Sequence, residues 1–188
     1  MRIIGGELKG KAIMPPAGYQ ARPTTDFAKE GLFNTLANEV DFSEISVLDL
    51  FSGTGSISYE FASRGCFDIV AVEMNPANAA FIKKTAASLK LKGAIQVVHH
   101  NVFDFLGICT KQFDVVFADP PYAIEGLDNI PEKVFASGIL KPGALLVLEH
   151  PGTFSFTDRP GFLRERKYGN VHFSYFRAAS QESDAAES

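Results

Sequence analysis

Tryptophan is missing from this chain of 188 residues, and cysteine occurs only twice. Aromatic packing therefore falls to phenylalanine, present 17 times. Cys66 and Cys109 have no metal-ligand spacing, which excludes a disulfide scaffold and a zinc module. Both are expected as reduced thiols, and no metal is expected. No apolar run approaches the roughly 18 residues of a membrane span. Met1–Glu7 has no apolar stretch of signal-peptide length. A cytoplasmic protein with no membrane partner is expected. There is no internal repeat and no low-complexity linker. A large excess of positive charge is also lacking: the net charge is −4, which argues against generic nucleic-acid binding.

A hydrophobic fraction of 46% supports one globular domain with a good core. Charge is unevenly spread. Residues 1–30 carry five basic and three acidic side chains, and residues 158–177 carry five and two. The middle is acidic, so the basic ends are candidates for RNA contact.

Residues 1–14 read as a short hairpin around Gly5-Gly6 and Gly10, ended by Pro15-Pro16. Thr24 or Thr25 is placed to cap a helix running through Leu32-Phe33 and Leu36. Strand and helix patterns then alternate. Strands are expected at Ile45–Leu50, Asp68–Val72, Ile95–His99, Asp114–Ala118 and Ala144–Glu149. Helices are expected at Ser56–Arg64, Pro76–Leu91, Val102–Ile108 and Ile130–Ser137, and Gly138–Gly143 reads as a turn. Alternation of this kind means βαβ units and a parallel sheet. Phe162–Tyr168 and Val171–Phe176 flank Gly169-Asn170 and read as a terminal antiparallel hairpin. The expected fold is α/β and Rossmann-like: a mostly parallel twisted sheet flanked by helices. The expected division is an extension over 1–25, a catalytic domain over 26–178 and a disordered tail over 179–188.

Asp119-Pro120-Pro121-Tyr122 is the most informative stretch. It follows a buried strand, at the sheet edge where ligands of open α/β folds bind. The prolines fix φ and remove two backbone donors. A carboxylate, unopposed carbonyls and a flat ring suit a planar group bearing an NH2. The first strand ends in Asp49-Leu-Phe51-Ser52-Gly53-Thr54-Gly55, and a helix begins. Two glycines one residue apart let a ligand approach the backbone closely. The dinucleotide fingerprint wants a third glycine where Ser58 stands. Asp49 suits a cation better than a phosphate. Glu73, followed by Met74, ends the second strand and can take both hydroxyls of a ribose. Asn101-Val102, after the third strand, can pair with an adenine edge through the Asn amide and backbone groups. Ribose, adenine and a cationic partner for Asp49 together describe S-adenosylmethionine. His99, His100, Asp104, Asp114, Glu149 and His150 are read as helix-turn or strand-end residues with no assigned role.

The chain resembles Rossmann-like S-adenosylmethionine-dependent methyltransferases. More narrowly, it is similar to bacterial small-subunit ribosomal RNA guanine-N2 methyltransferases of the RsmD type. The resemblance rests on Met1-Arg-Ile-Ile-Gly-Gly6, Arg22-Pro-Thr-Thr-Asp26, Leu48–Gly55, Glu73, Asp119–Tyr122 and Tyr168-Gly169. Ser52 and Thr54 replace the usual Ala and Ser, both small. Lys83-Lys-Thr85 departs from the family's Lys-Asn pair, so no role is carried over there. The resemblance implies methyl transfer to a guanine amino nitrogen of 16S ribosomal RNA, in an assembly intermediate, by a monomer. Asp119 and the Pro120 carbonyl would accept the amine's hydrogens, and Tyr122 would stack on the base. Arg22 and Thr24 are candidate substrate contacts. Adenine-N6 methylation of DNA and glutamine-N5 methylation of a protein use the same four-residue motif. An NAD(H) oxidoreductase and a non-catalytic RNA-binding module are further readings.

Overall fold

The computed structural model describes residues 1–181. The expected tail therefore lies, from residue 182 onward, outside the described residues. A seven-stranded sheet forms the centre. Its strands are β1 (Ser46–Leu50), β2 (Asp68–Glu73), β3 (Ile95–His99), β4 (Phe113–Ala118), β5 (Leu140–His150), β6 (Phe162–Tyr168) and β7 (Val171–Arg177). Their order is β3-β2-β1-β4-β5-β7-β6. The first five run parallel, and β7 is antiparallel to β5 and β6. Chain order reverses between β1 and β4, so a crevice opens at their carboxyl ends. The helices are α1 (Asp26–Ala37), α2 (Ser56–Ser63), α3 (Pro76–Ser88), α4 (Val102–Ile108) and α5 (Ile130–Ala136). None of the described helices is long and apolar enough to cross a membrane.

Every residue of β1 is buried, because helices cover both faces of the sheet. Alternation splits its side chains between two cores. Val47 joins Leu32, Phe33, Phe61 and Ile82 under α1, α2 and α3. Leu48 and Leu50 join Phe105, Leu106, Ile130 and Val134 under α4 and α5. Asp49 shares the Val47 face and so points toward α2.

Two boundaries differ from the pattern-based ones by more than one residue. α3 stops at Ser88 rather than Leu91, and Lys90 turns the chain at a left-handed φ of 59°. β5 begins at Leu140, inside the expected turn: Phe113 pairs Leu140 but Val115 pairs Leu145, so Pro142-Gly143 is absorbed as a bulge. The N-terminal segment closes as the expected short hairpin, with an antiparallel bridge from Arg2 to Ala12. Ile3 N–H donates to the Lys11 carbonyl (3.0 Å) and Ile13 N–H to the Met1 carbonyl (2.9 Å). Side chains anchor it to the core: Ile3 and Ile13 enter the α1–α3 core, Ile4 N–H donates to Glu60 Oε1 (2.6 Å), and Lys29 Nζ donates to the Arg2 carbonyl (2.5 Å). The terminal hairpin turns at Gly169, whose φ of 63° is the conformation a II′ loop requires at its first position.

Candidate active site

The crevice between β1 and β4 is a cavity of about 880 Å³, within the size range of small-molecule sites. Register places its walls. Leu50 of β1 pairs Val72 of β2 and Ala118 of β4, so the residues that follow these strands meet in space.

The loop after β1 is strained. Phe51 has φ 58°, rare for a residue with a side chain, and Gly53 and Gly55 have φ 59° and 87°. Ser52 holds the strain: its N–H donates to the Val72 carbonyl (3.0 Å) and its hydroxyl to the Asp49 carbonyl (2.7 Å). Gly53 N–H donates to Glu73 Oε2 (2.7 Å). Glu73 Oε1 accepts from Asn75 N–H (2.8 Å), so the carboxylate is fixed while it still lines the cavity. A Cβ on Gly53 would stand 2.8 Å from the Tyr19 hydroxyl. Tyr19 therefore roofs the loop, and the left-handed φ of Gly53 is what favours glycine there.

Phe51, Ser52, Gly53, Thr54, Glu73, Met74, Asn101 and Val102 all line the cavity, as do Asp119, Pro120, Pro121 and Tyr122. Arg22 and Thr24 stand on the same wall. Asp49 and Gly55 do not line it. The Asp49 carboxylate is buried behind the loop, where Ser58 Oγ donates to it at 2.6 Å. A Cβ on Gly55 would strike the Tyr59 ring at 2.7 Å, so this glycine serves helix packing. Asn101 also differs from expectation. Its amide oxygen caps α4 by accepting from Phe103 and Asp104 N–H (2.9 and 3.2 Å). Only its NH2, 3.6 Å from the Met74 sulfur, remains for a ligand.

At the foot of the cavity, Asp119 N–H donates to the Leu50 carbonyl (3.4 Å), tying the motif to β1. Ile124 N–H takes the Pro121 carbonyl (2.9 Å) to form the turn. The Pro120 carbonyl has no backbone donor among the described residues. Beside Asp119 stands Glu149, a residue the linear pattern passed over. Tyr122 Oη donates to Glu149 Oε1 (3.4 Å) and Thr24 Oγ1 to Oε2 (3.3 Å). The sequence does hold a signal for Glu149. Ala118 pairs Leu148, so the next residue of each strand shares one sheet edge. Nothing in the sequence announces Tyr19, which also lines the cavity; the hairpin tip at Gly169–Val171 lines it too, on a turn the sequence did show.

Three carboxyl groups, those of Glu73, Asp119 and Glu149, thus line one cavity, with Asp49 behind its wall, and none of the four forms an ion pair among the described residues. Burial pushes Asp49 up to about 7, with repulsion from Glu73 adding to it and the Ser58 bond opposing. Burial also pushes Glu149 up to about 7. Asp119 is raised well above the usual carboxylate range by burial, then by the charges of Glu149 and Asp49. An acidic, largely desolvated site repels a pyrophosphate and favours a cationic ligand. The loop, Glu73 and the uncompensated carboxyls fit a nucleoside carrying positive charge and no phosphate. No group of three or more metal-ligating side chains occurs among the described residues.

A sequence model of the family described as conserved hypothetical protein 95 matches residues 1–177. The ribosomal RNA small subunit methyltransferase D of Escherichia coli K12 is 33% identical, with 98% of this chain and 94% of that protein covered. The solved Escherichia coli protein yhhF superposes with a TM-score of 0.82 at 31% identity, covering 96% of this chain and 99% of that one. The Thermus thermophilus 16S rRNA N2 G methyltransferase RsmC, solved with AdoMet and guanosine, shares the fold at 21% identity and a TM-score of 0.66. That match covers 86% of this chain and 44% of RsmC. The chain belongs to the conserved hypothetical protein 95 family, and matched relatives from Escherichia coli, Haemophilus influenzae and Buchnera aphidicola carry the name ribosomal RNA small subunit methyltransferase D.

Proposed function

We propose that this protein methylates the exocyclic N2 of a guanine in small-subunit ribosomal RNA, using S-adenosylmethionine. The name shared by its relatives supports ribosomal RNA as the substrate class. The observation that carries the reading is one cavity holding both Asp119–Tyr122 and the Gly53 loop with Glu73. Bound there, S-adenosylmethionine supplies a methyl group on a sulfonium: the amino nitrogen bonds the methyl carbon while the carbon–sulfur bond breaks and its electron pair returns to sulfur. Glu73 and the loop would hold the nucleoside, and Val102 with the Asn101 NH2 the adenine.

The chain's own work is to position an amine. Guanine N2 is a poor nucleophile because its lone pair is delocalised into the ring. Asp119 and the Pro120 carbonyl accept its two hydrogens and turn the lone pair toward the methyl. They also stabilise the positive charge that develops on nitrogen. After transfer the ammonium-like nitrogen loses a proton to Asp119, from which it passes to solvent. Tyr122, 39% exposed at the mouth, offers the face on which an extruded base stacks. Holding both reactants at near-attack distance supplies much of the remaining acceleration.

The test is labelled methyl transfer onto unmodified small subunits, free ribosomal RNA and DNA in parallel, followed by nucleoside analysis. N2-methylguanosine from the ribosomal substrates is expected. N6-methyladenine in DNA, or label only in protein, refutes the reading.

A further inference from the structure

Glu149 is buried, with 5% of its surface exposed, yet it forms part of the cavity wall. It follows Leu148 of β5, and Asp119 follows the paired Ala118 of β4. The charge of Glu149 helps to raise the Asp119 carboxyl, so the two groups stand close together. Glu149 has no basic partner among the described residues. Its two hydroxyl donors, Thr24 and Tyr122, are long at 3.3 and 3.4 Å. Both donors belong to residues of the cavity wall, and they engage different oxygens of the carboxyl. A buried carboxyl held by two long hydroxyl contacts can exchange them for a stronger donor. A ligand donor reaching it from the cavity would take their place.

Amino-bearing bases differ in what lies next to the amine. Guanine places the N1–H donor beside its NH2. Adenine and cytosine place a ring-nitrogen acceptor there. Two adjacent acceptors in the protein therefore match two adjacent donors in guanine, and oppose the other two bases. We infer that Glu149 accepts the N1–H of the target guanine while Asp119 holds its amino group, making Glu149 the residue that selects guanine. This rests on the guanine reading above and adds the group that enforces it. Substrate donors would replace the Tyr122 and Thr24 hydroxyls on the carboxyl, freeing the Tyr122 ring to stack. A site built to receive an N–H rejects an analogue lacking it far more strongly than an apolar pocket rejects a missing methyl.

The experiment has two arms. In the first, wild-type protein methylates unmodified small subunits, and the product nucleoside and its position are identified. A product other than N2-methylguanosine removes the guanine reading itself. In the second, subunits are reconstituted with either guanine or 2-aminopurine at the mapped position. 2-Aminopurine keeps the amino group and turns N1 from donor to acceptor. Wild type should favour guanine by on the order of 10²-fold in kcat/KM. Glu149→Gln should lose about 10- to 100-fold on guanine, while its preference collapses to within a few-fold, because the Gln amide can donate to N1. An unchanged preference overturns the inference. Equal loss on both bases also overturns it, since a merely structural role would act that way. If the Gln variant fails to bind cofactor, Glu149→Asp carries the same comparison with the charge kept and the acceptor withdrawn by one methylene. Full activity and full preference in that variant overturn the inference equally.

Discussion

Asp119 is the residue on which the proposed chemistry turns. Its backbone is tied to β1 through Leu50, and its carboxyl faces Glu149, so substitution leaves the cofactor wall standing. Asp119→Ala is expected to lower kcat by on the order of 10² to 10³. Cofactor affinity should be nearly unchanged, because Glu73 and the Gly53 loop hang on contacts of their own. Single-turnover methyl transfer and cofactor titration measure the two quantities separately. Near-normal turnover would remove Asp119 from the mechanism. Individual residues also show how far the linear pattern reached. Gly53, Glu73 and Asp119 were legible as cavity residues because each lies at or within three residues of a strand's carboxyl end, and strand ends are visible in apolar runs. Glu149 was not, although it too ends a strand. Its meaning comes from standing beside Asp119, and that follows from the β4–β5 register. Asn101 was half legible: its position was right, but helix capping had already claimed its oxygen.

At the scale of elements, the parallel core followed from alternation of apolar strands and capped helices. Failures occurred where local chemistry and long-range pairing disagree. Pro142-Gly143 is turn chemistry, yet its neighbours pair on both sides, and β5 absorbs them. The N-terminal hairpin does form, and side chains from α1 and α2 fasten it to the core. Lys29 is the centre of that fastening. It is 1% exposed and donates to the Arg2 carbonyl, with Glu60 Oε1 at 3.2 Å. Glu60 is fully buried, with Arg64 3.4 Å away as its second cation. Removing Lys29 strands a buried carboxylate, so Lys29→Met should destabilise by about 3 kcal/mol, the low end for a broken buried pair because Arg64 remains. Arg2 and Asp26 form a second link, but both are open to water. Arg2→Ala should therefore change stability by less than about 1 kcal/mol. Urea unfolding of both variants decides it. Equal effects would mean that the exposed pair, and not the buried one, fastens the segment.

Over the whole molecule, charge is arranged differently from its order along the chain. Much of the basic charge near the two ends of the fold is taken up in ion pairs. Arg164 and Arg177 both bind Glu39 (2.9 and 2.8 Å), and Arg159 binds Glu132. Sequence counts could not separate such structural cations from those left for a polyanion, such as Arg22 on the cavity wall. The acidic cavity has a measurable consequence for the fold. Asp49 and Glu149 titrate near 7 in the folded protein, against about 4 in an unfolded chain. Between those values the folded state binds more protons than the unfolded one, so stability falls as pH rises through the window. Glu39 and Asp114 are shifted the other way by their cations, and their contribution changes only below about pH 4.5. The two effects thus occupy separate pH ranges. The melting temperature of the cofactor-free protein should decline from pH 5 to pH 7.5. Saturating S-adenosylmethionine should offset most of that decline, because a cationic ligand favours the ionised carboxylates and its stabilisation grows with pH. Asp49→Asn should flatten the cofactor-free profile. A melting temperature constant across this range, with a ligand shift equal at both ends, would mean that these carboxyls are already compensated and that the cavity is not poised for a cation.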